Sequence, residues 1–309
     1  MIFKVIFCYN LMKKSITNVI LIVLILIVLI LYVKTGFLQK NEIDRFDKLK
    51  WEYENNIVKG AEEFIIGGSS KTCWLLIHSY ISTPKEMKEL GNKINREFND
   101  SVFAIRLLGH GELPSKIYNL TLDNWYGQVE KEFNNLSLKC EKINVVGSSI
   151  GGVLSLKLAQ EKEFNNLYII NAYFYPSYRW YLLIDTNIYL KLFGKVVYYG
   201  KNRDVMINDP ESLKKHIAYR NFPFPPIINS FKFFDETAGN LIKVDENILI
   251  QHSYNDDVAD PEFAEVIFNG VSSEIKEIKW FERSNHILLS DYDKEDVIKN
   301  ILDFERMRR

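Results

Sequence analysis

Gly147, Ser149 and Gly151 stand in the pattern G-x-S-x-G, which holds a serine hydroxyl clear of the backbone on a sharp turn from strand to helix. A serine hydroxyl is a weak nucleophile near neutral pH. It needs an imidazole to take its proton and a carboxylate to fix that imidazole's tautomer. Ser148 is the competing hydroxyl, but only Ser149 has the glycine spacing. Of the five histidines, His216, His252 and His286 follow Ser149. With the order serine, acid, histidine that goes with this turn, His286 in the loop Arg283-Ser284-Asn285-His286 has the right address for the base. The acid belongs in the preceding loop, where Asn255, Asp256, Asp257 and Asp260 cluster; Asp256 is the first choice and Asp257 the second. Taken singly, the acidic cluster reads rather as a polar turn and helix cap, and His286 as a loop histidine. A tetrahedral oxyanion needs backbone N–H donors, one after the nucleophile and one from the loop after an early strand, which here are Ile150 and, in His78-Ser79-Tyr80, Tyr80.

These groups require a particular set of elements. Ile143, Val145 and Val146 form a β-branched run before the serine, and Val153, Leu154, Leu156 and Leu158 a helix-compatible run after it. A Cβ at Gly147 or Gly151 is expected to collide with the adjoining strand and helix. Thr72 to His78 is nearly continuously apolar, as central parallel strands are. Pro84 to Phe98 and Leu122 to Leu136 have helical periodicity, Ser101 to Leu107 reads as a strand between them, and Leu167 to Asn171 as another. Asn247 to His252, Pro261 to Phe268, Glu274 to Phe281 and Lys294 to Met307 continue the alternation, which implies a parallel, doubly wound α/β sheet. The break in it, Tyr173 to Phe234, is crowded with aromatic residues, including Trp180, Tyr181, Tyr198, Tyr199, Phe222 and Phe224. It reads as a strand-less cap inserted over an apolar pocket.

The chain has 309 residues, 47% of them hydrophobic and 26% charged, which suits one large domain and excludes disorder as the default. A net charge of −1, with Lys+Arg 39 against Asp+Glu 40, leaves no basic surplus to mark a nucleic-acid binder. Cys8, Cys73 and Cys140 have no metal-ligand spacing and read as buried free thiols. From Ser15 to Val33 the chain is uncharged and almost all Ile, Leu and Val, which as a helix spans roughly 28 Å. With no small-residue cleavage site, it reads as an uncleaved single-pass membrane anchor within residues 1–40 rather than a signal peptide. Lys4, Lys13 and Lys14 favour the bulk of the chain on the extracytoplasmic side. Residues 41–58 read as a stalk or short helix, and 59–309 as the globular domain.

Gly60-Ala61-Glu62, His78 to Pro84 and Pro84-Lys85-Glu86-Met87 resemble the α/β-hydrolase superfamily, as do Arg106 to Gly111, Trp125, Gly147 to Gly152 and the Asp256 and His286 loops. Within it they are similar to bacterial carboxylesterases and monoacylglycerol lipases. The resemblance covers about Lys59 to Phe304 and implies a serine esterase with no metal or organic cofactor, a cap shaping an acyl pocket, and Ser149, Asp256 and His286 as the triad. Two positions depart from that branch: His78-Ser79 stands where His-Gly is usual, so that Ser79 is expected to crowd the oxyanion loop, and the turn reads Gly-Ser-Ser-Ile-Gly in place of Gly-Leu-Ser-Met-Gly. The function expected is hydrolysis of small-molecule acyl esters. The alternatives are an acyltransferase using the same triad and a non-catalytic module that binds a lipid or partner in the capped pocket.

Overall fold

The structure, a computed structural model, describes residues 2–32, 42–177, 188, 199–201 and 206–309. At its centre is a seven-stranded sheet of β3 (Phe64–Ile66), β4 (Thr72–Ile77), β5 (Ser101–Ile105), β6 (Lys142–Ser148), β7 (Asn166–Ile170), β10 (Asn247–Ser253) and β11 (Lys276–Phe281), in the order β11-β10-β7-β6-β4-β5-β3. All neighbours run parallel except the edge strand β3, which pairs antiparallel with β5. The central strands are apolar on both faces because both are covered. Leu75, Ile77 and Val145 point into one core with Trp125, Val129 and Leu154. Trp74, Leu76, Val146 and Tyr168 point into the other with Leu90, Ile301 and Phe304. The covering helices are α3 (Lys88–Phe98), α4 (Leu122–Ser137), α5 (Ile150–Ala159), α8 (Phe231–Gly239), α9 (Glu262–Gly270) and α10 (Lys294–Arg306). This is the α/β-hydrolase fold with a mostly parallel sheet.

Four expectations change. Ser15 to Tyr32 of the apolar run lie in a helix, α1 (Ile2–Tyr32), but the anchor and the extracytoplasmic placement drawn from the run are overturned: among the described residues no helix is long and apolar enough to cross a membrane. Val33 to Asn41 lie outside the described residues. From Glu42 on, the segment expected as a stalk is folded onto the body, with α2 (Arg45–Lys50) followed by the hairpin β1 (Tyr53–Glu54) and β2 (Ile57–Val58). Ile43 and Asp47 are buried, and the Asp44 carboxylate accepts from Ser115 N–H and Oγ at 2.9 and 2.7 Å.

The cap also differs. It is not strand-less: β8 (Tyr199–Lys201) pairs antiparallel with β9 (Asn221–Pro223), beside the short helices α6 (Pro210–Lys215) and α7 (Pro225–Ile228). Trp180, Tyr181 and Tyr198 lie outside the described residues. Finally, Cys73 and Cys140 are not free thiols but a disulfide, with Cα atoms 5.9 Å apart. Cys73 pairs in register with Ile143 of the adjoining strand, and Cys140 sits three residues before it, so strand pairing brings together two sulfurs that are 67 residues apart in sequence.

Candidate active site

Five strands deliver their C-terminal ends to one place, where open α/β sheets carry ligands. At the end of β6 the backbone of Ser149 has φ 55° and ψ −117°. Such a conformation costs a non-glycine residue on the order of 1–3 kcal/mol, and it persists because its surroundings hold it. Ser149 N–H donates to Ile170 O at 2.8 Å, and its carbonyl accepts from Tyr173 N–H at 3.2 Å. The two glycines allow the close approach that the turn needs. A Cβ at Gly147 would lie 2.2 Å from Gly151 O, and one at Gly151 would lie 2.2 Å from Ile77 O.

The structure brings Ser149, His286 and Asp256 together, all buried. His286 Nε2 lies 2.8 Å from Ser149 Oγ, and Nδ1 lies 2.8 and 3.0 Å from the two Asp256 oxygens. Asp256 Oδ1 also accepts from Val258 and Ala259 N–H, each at 2.8 Å, which favours the ionised carboxylate. Burial alone would raise this carboxyl's pKa. The attraction and hydrogen bond of His286, with His252 close beside the carboxylate, outweigh it and hold the group well below the usual carboxylate range. With Asp256 ionised, Nδ1 carries the imidazole proton and Nε2 is left to accept from the serine hydroxyl. Asp257 is placed elsewhere: its Oδ2 accepts from Asn285 Nδ2 at 2.9 Å. Ser148 Oγ lies 2.9 Å from Ser79 Oγ.

Two neighbours were not singled out from the sequence. Asn171, just past β7 at φ 43°, donates from Nδ2 to His286 O at 2.6 Å and accepts at Oδ1 from Ser253 N–H at 2.9 Å. It thus ties the histidine loop to the acid strand. An asparagine directly after an apolar strand was the available signal, since Asn tolerates left-handed backbone. His252, near the end of β10, has Nε2 3.3 Å from Asp256 Oδ2.

On the other wall, neither Tyr80 N–H nor Ile150 N–H has an acceptor among the described residues. The Tyr80 hydroxyl donates to Pro223 O of β9, which joins this loop to the cap. His78 holds the base of the loop as a neutral imidazole: Nδ1 donates to Ser79 O at 2.8 Å and Nε2 accepts from Leu107 N–H at 3.1 Å. Burial pushes its pKa down from 6.5 to about 4. As pH falls below 6.5 the unfolded chain takes up a proton that the folded one refuses, so stability declines until pH reaches the folded pKa. Roughly 2 kcal/mol of the effect is reached by pH 5. Thermal melting of the native chain is expected to drop from pH 7 to pH 5, and by less in His78→Asn, which keeps one donor and one acceptor but cannot titrate. An identical drop in the variant would remove His78 as its source.

A catalytic-type serine at a strand-to-helix corner, a histidine bridging it to a buried aspartate, and this sheet together define an α/β-hydrolase. The family model described as Hydrolase_4, serine aminopeptidase S33, matches residues 68–293, and the chain belongs to that family. It is 29% identical over 252 residues to a thermostable monoacylglycerol lipase of Bacillus sp. (strain H-257), covering 80% of this chain and 95% of that one. To a carboxylesterase of Bacillus subtilis (strain 168) it is 23% identical over 243 residues, covering 78% and 94%. A solved structure from work on the metagenome-derived lipolytic enzymes LipS and LipT superposes with a TM-score of 0.72 at 26% identity, covering 81% of this chain and 99% of that one. The chain is a hydrolase of the lipase and esterase kind.

Proposed function

We propose that the chain hydrolyses carboxylic esters of small acyl substrates through a Ser149 acyl-enzyme. Ser149 Oγ attacks the ester carbonyl carbon while His286 Nε2 takes its proton, and Asp256 stabilises the imidazolium that forms. The carbonyl oxygen becomes an oxyanion and accepts from Tyr80 and Ile150 N–H. His286 returns the proton to the leaving alkoxide, the C–O bond breaks, and the acyl group stays on Ser149. Water, deprotonated by His286, then attacks the acyl carbon, the bond to Ser149 Oγ breaks as His286 returns the proton to that oxygen, and the acid leaves. The observation that carries this reading is the unbroken contact from Ser149 Oγ through His286 to Asp256. The unpartnered N–H groups of Tyr80 and Ile150 support it, as do relatives whose own names describe lipases and esterases. The test is labelling with a fluorophosphonate: the native chain labels and Ser149→Ala does not.

The acyl preference follows from the aromatic surroundings of the Tyr80 loop, where Tyr80, Trp125, Phe222 and Phe224 lie ring to ring. Burying a methylene against such a wall gains about 0.8 kcal/mol, close to fourfold in kcat/KM. Across a series of p-nitrophenyl esters, kcat/KM is expected to rise from acetate to medium-length acyl chains and then level off. Preference for acetate, or for aminoacyl amides over every ester, would overturn this substrate class.

A further inference from the structure

The two departures from the usual pattern, Ser79 and Ser148, touch each other. Both are buried, as is Glu86 in the 3-10 turn Pro84–Met87. Glu86 Oε1 accepts from Ser79 N–H at 2.8 Å and from Ser79 Oγ at 2.9 Å, and Ser79 Oγ lies 2.9 Å from Ser148 Oγ. Since the single Ser79 hydroxyl proton goes to Glu86, Ser148 is the donor in the remaining bond, and the chain runs Ser148 to Ser79 to Glu86. Its place in the backbone gives it a task. The ladder between β4 and β6 ends at the pair Ile77 and Gly147, and the hydroxyl bridge is the next link beyond that end. Each serine stands one residue before a group that the reaction uses: Ser79 before Tyr80, Ser148 before Ser149 with Ile150 following.

We propose that Ser79, Ser148 and Glu86 are positioning residues, which set the distance between the Tyr80 and Ile150 N–H groups and so tune how well the oxyanion is held. The three side chains form a hydrogen-bonded strut between the two loops. The inference rests on the ester hydrolysis proposed above, because it matters only if those N–H groups receive negative charge. An N–H displaced from its oxyanion weakens the transition state more than it weakens substrate binding, so the loss belongs in kcat.

The experiment is a double-mutant cycle on the full chain with p-nitrophenyl butyrate, using Ser79→Ala, Ser148→Ala and both together. Active sites are counted by fluorophosphonate titration. Each single variant is expected to lose about fivefold in kcat with KM changed less than about twofold. The double variant is expected to lose no more than about tenfold, because either change already breaks the strut. Glu86→Gln, which keeps an acceptor oxygen, is expected to stay within about twofold of the native kcat where Glu86→Ala does not, and this pair decides the matter if a serine variant fails to fold. Native kcat per titrated site in both serine variants, a loss confined to KM, or multiplying losses in the double variant would overturn the strut while leaving the hydrolase reading intact. A native chain that neither labels nor cleaves esters would remove that reading, and this inference with it.

Discussion

Ser149→Ala is expected to lower ester kcat on the order of a millionfold, leaving only the rate that binding and the oxyanion site supply without a nucleophile. The neighbouring Ser148→Ala is expected to lose only severalfold, because its hydroxyl is bonded to Ser79 and not to the imidazole. The same position carries a second readout. With φ at 55°, alanine inherits the strain of the turn while glycine does not, so Ser149→Gly is expected to be inactive and about 1 kcal/mol more stable than Ser149→Ala. Rates are measured on purified variants with a chromogenic ester and stabilities by urea unfolding. Turnover that survives Ser149→Ala and disappears in Ser148→Ala would move the nucleophile.

Asp256→Asn is expected to cost about 10,000-fold in kcat, and Asp257→Asn less than about tenfold. An amide of the same shape can still accept from Val258 and Ala259 N–H, so the loop survives. It no longer holds the Nδ1–H tautomer, and the Nε2 atom that must accept the serine proton is lost as a base. Asp257 meets the histidine loop at Asn285, one residue before His286. Equal losses in the two variants would assign the acid elsewhere. Melting curves for both variants separate a catalytic loss from an unfolded loop.

The centre of this molecule was legible because local chemistry dictates it. The glycines around Ser149 mark a close approach that no other residue permits, and the apolar runs of β4 and β6 announce strands covered on both faces. Proximity between Asp256 and His286 could be read only through chain order, since 30 residues separate them in sequence. What escaped notice depended on long-range register. Cys73 and Cys140 meet because β4 lies beside β6. Asp44 and Asp47 looked like charges of a solvated stalk, yet they accept from Ser115 and Arg220, whose backbones arrive from distant loops. His252 was passed over as a strand residue, although the turn that follows brings Asp256 back to it. The N-terminal run was read from composition alone, and among the described residues no helix is long and apolar enough to cross a membrane.

The Cys73–Cys140 bridge has a topological consequence. It closes a covalent ring that holds the His78–Tyr80 loop, Glu86, β5, the Gly109–Gly111 turn and α4, and that ends just before the nucleophile strand. A single peptide cut anywhere inside the ring, for instance beside Lys116, opens the circle without dividing the molecule. The wall with the Tyr80 N–H stays bonded to the half that carries Ser149, Asp256 and His286. A nicked chain therefore runs as one species until a reductant is added, and only then as two.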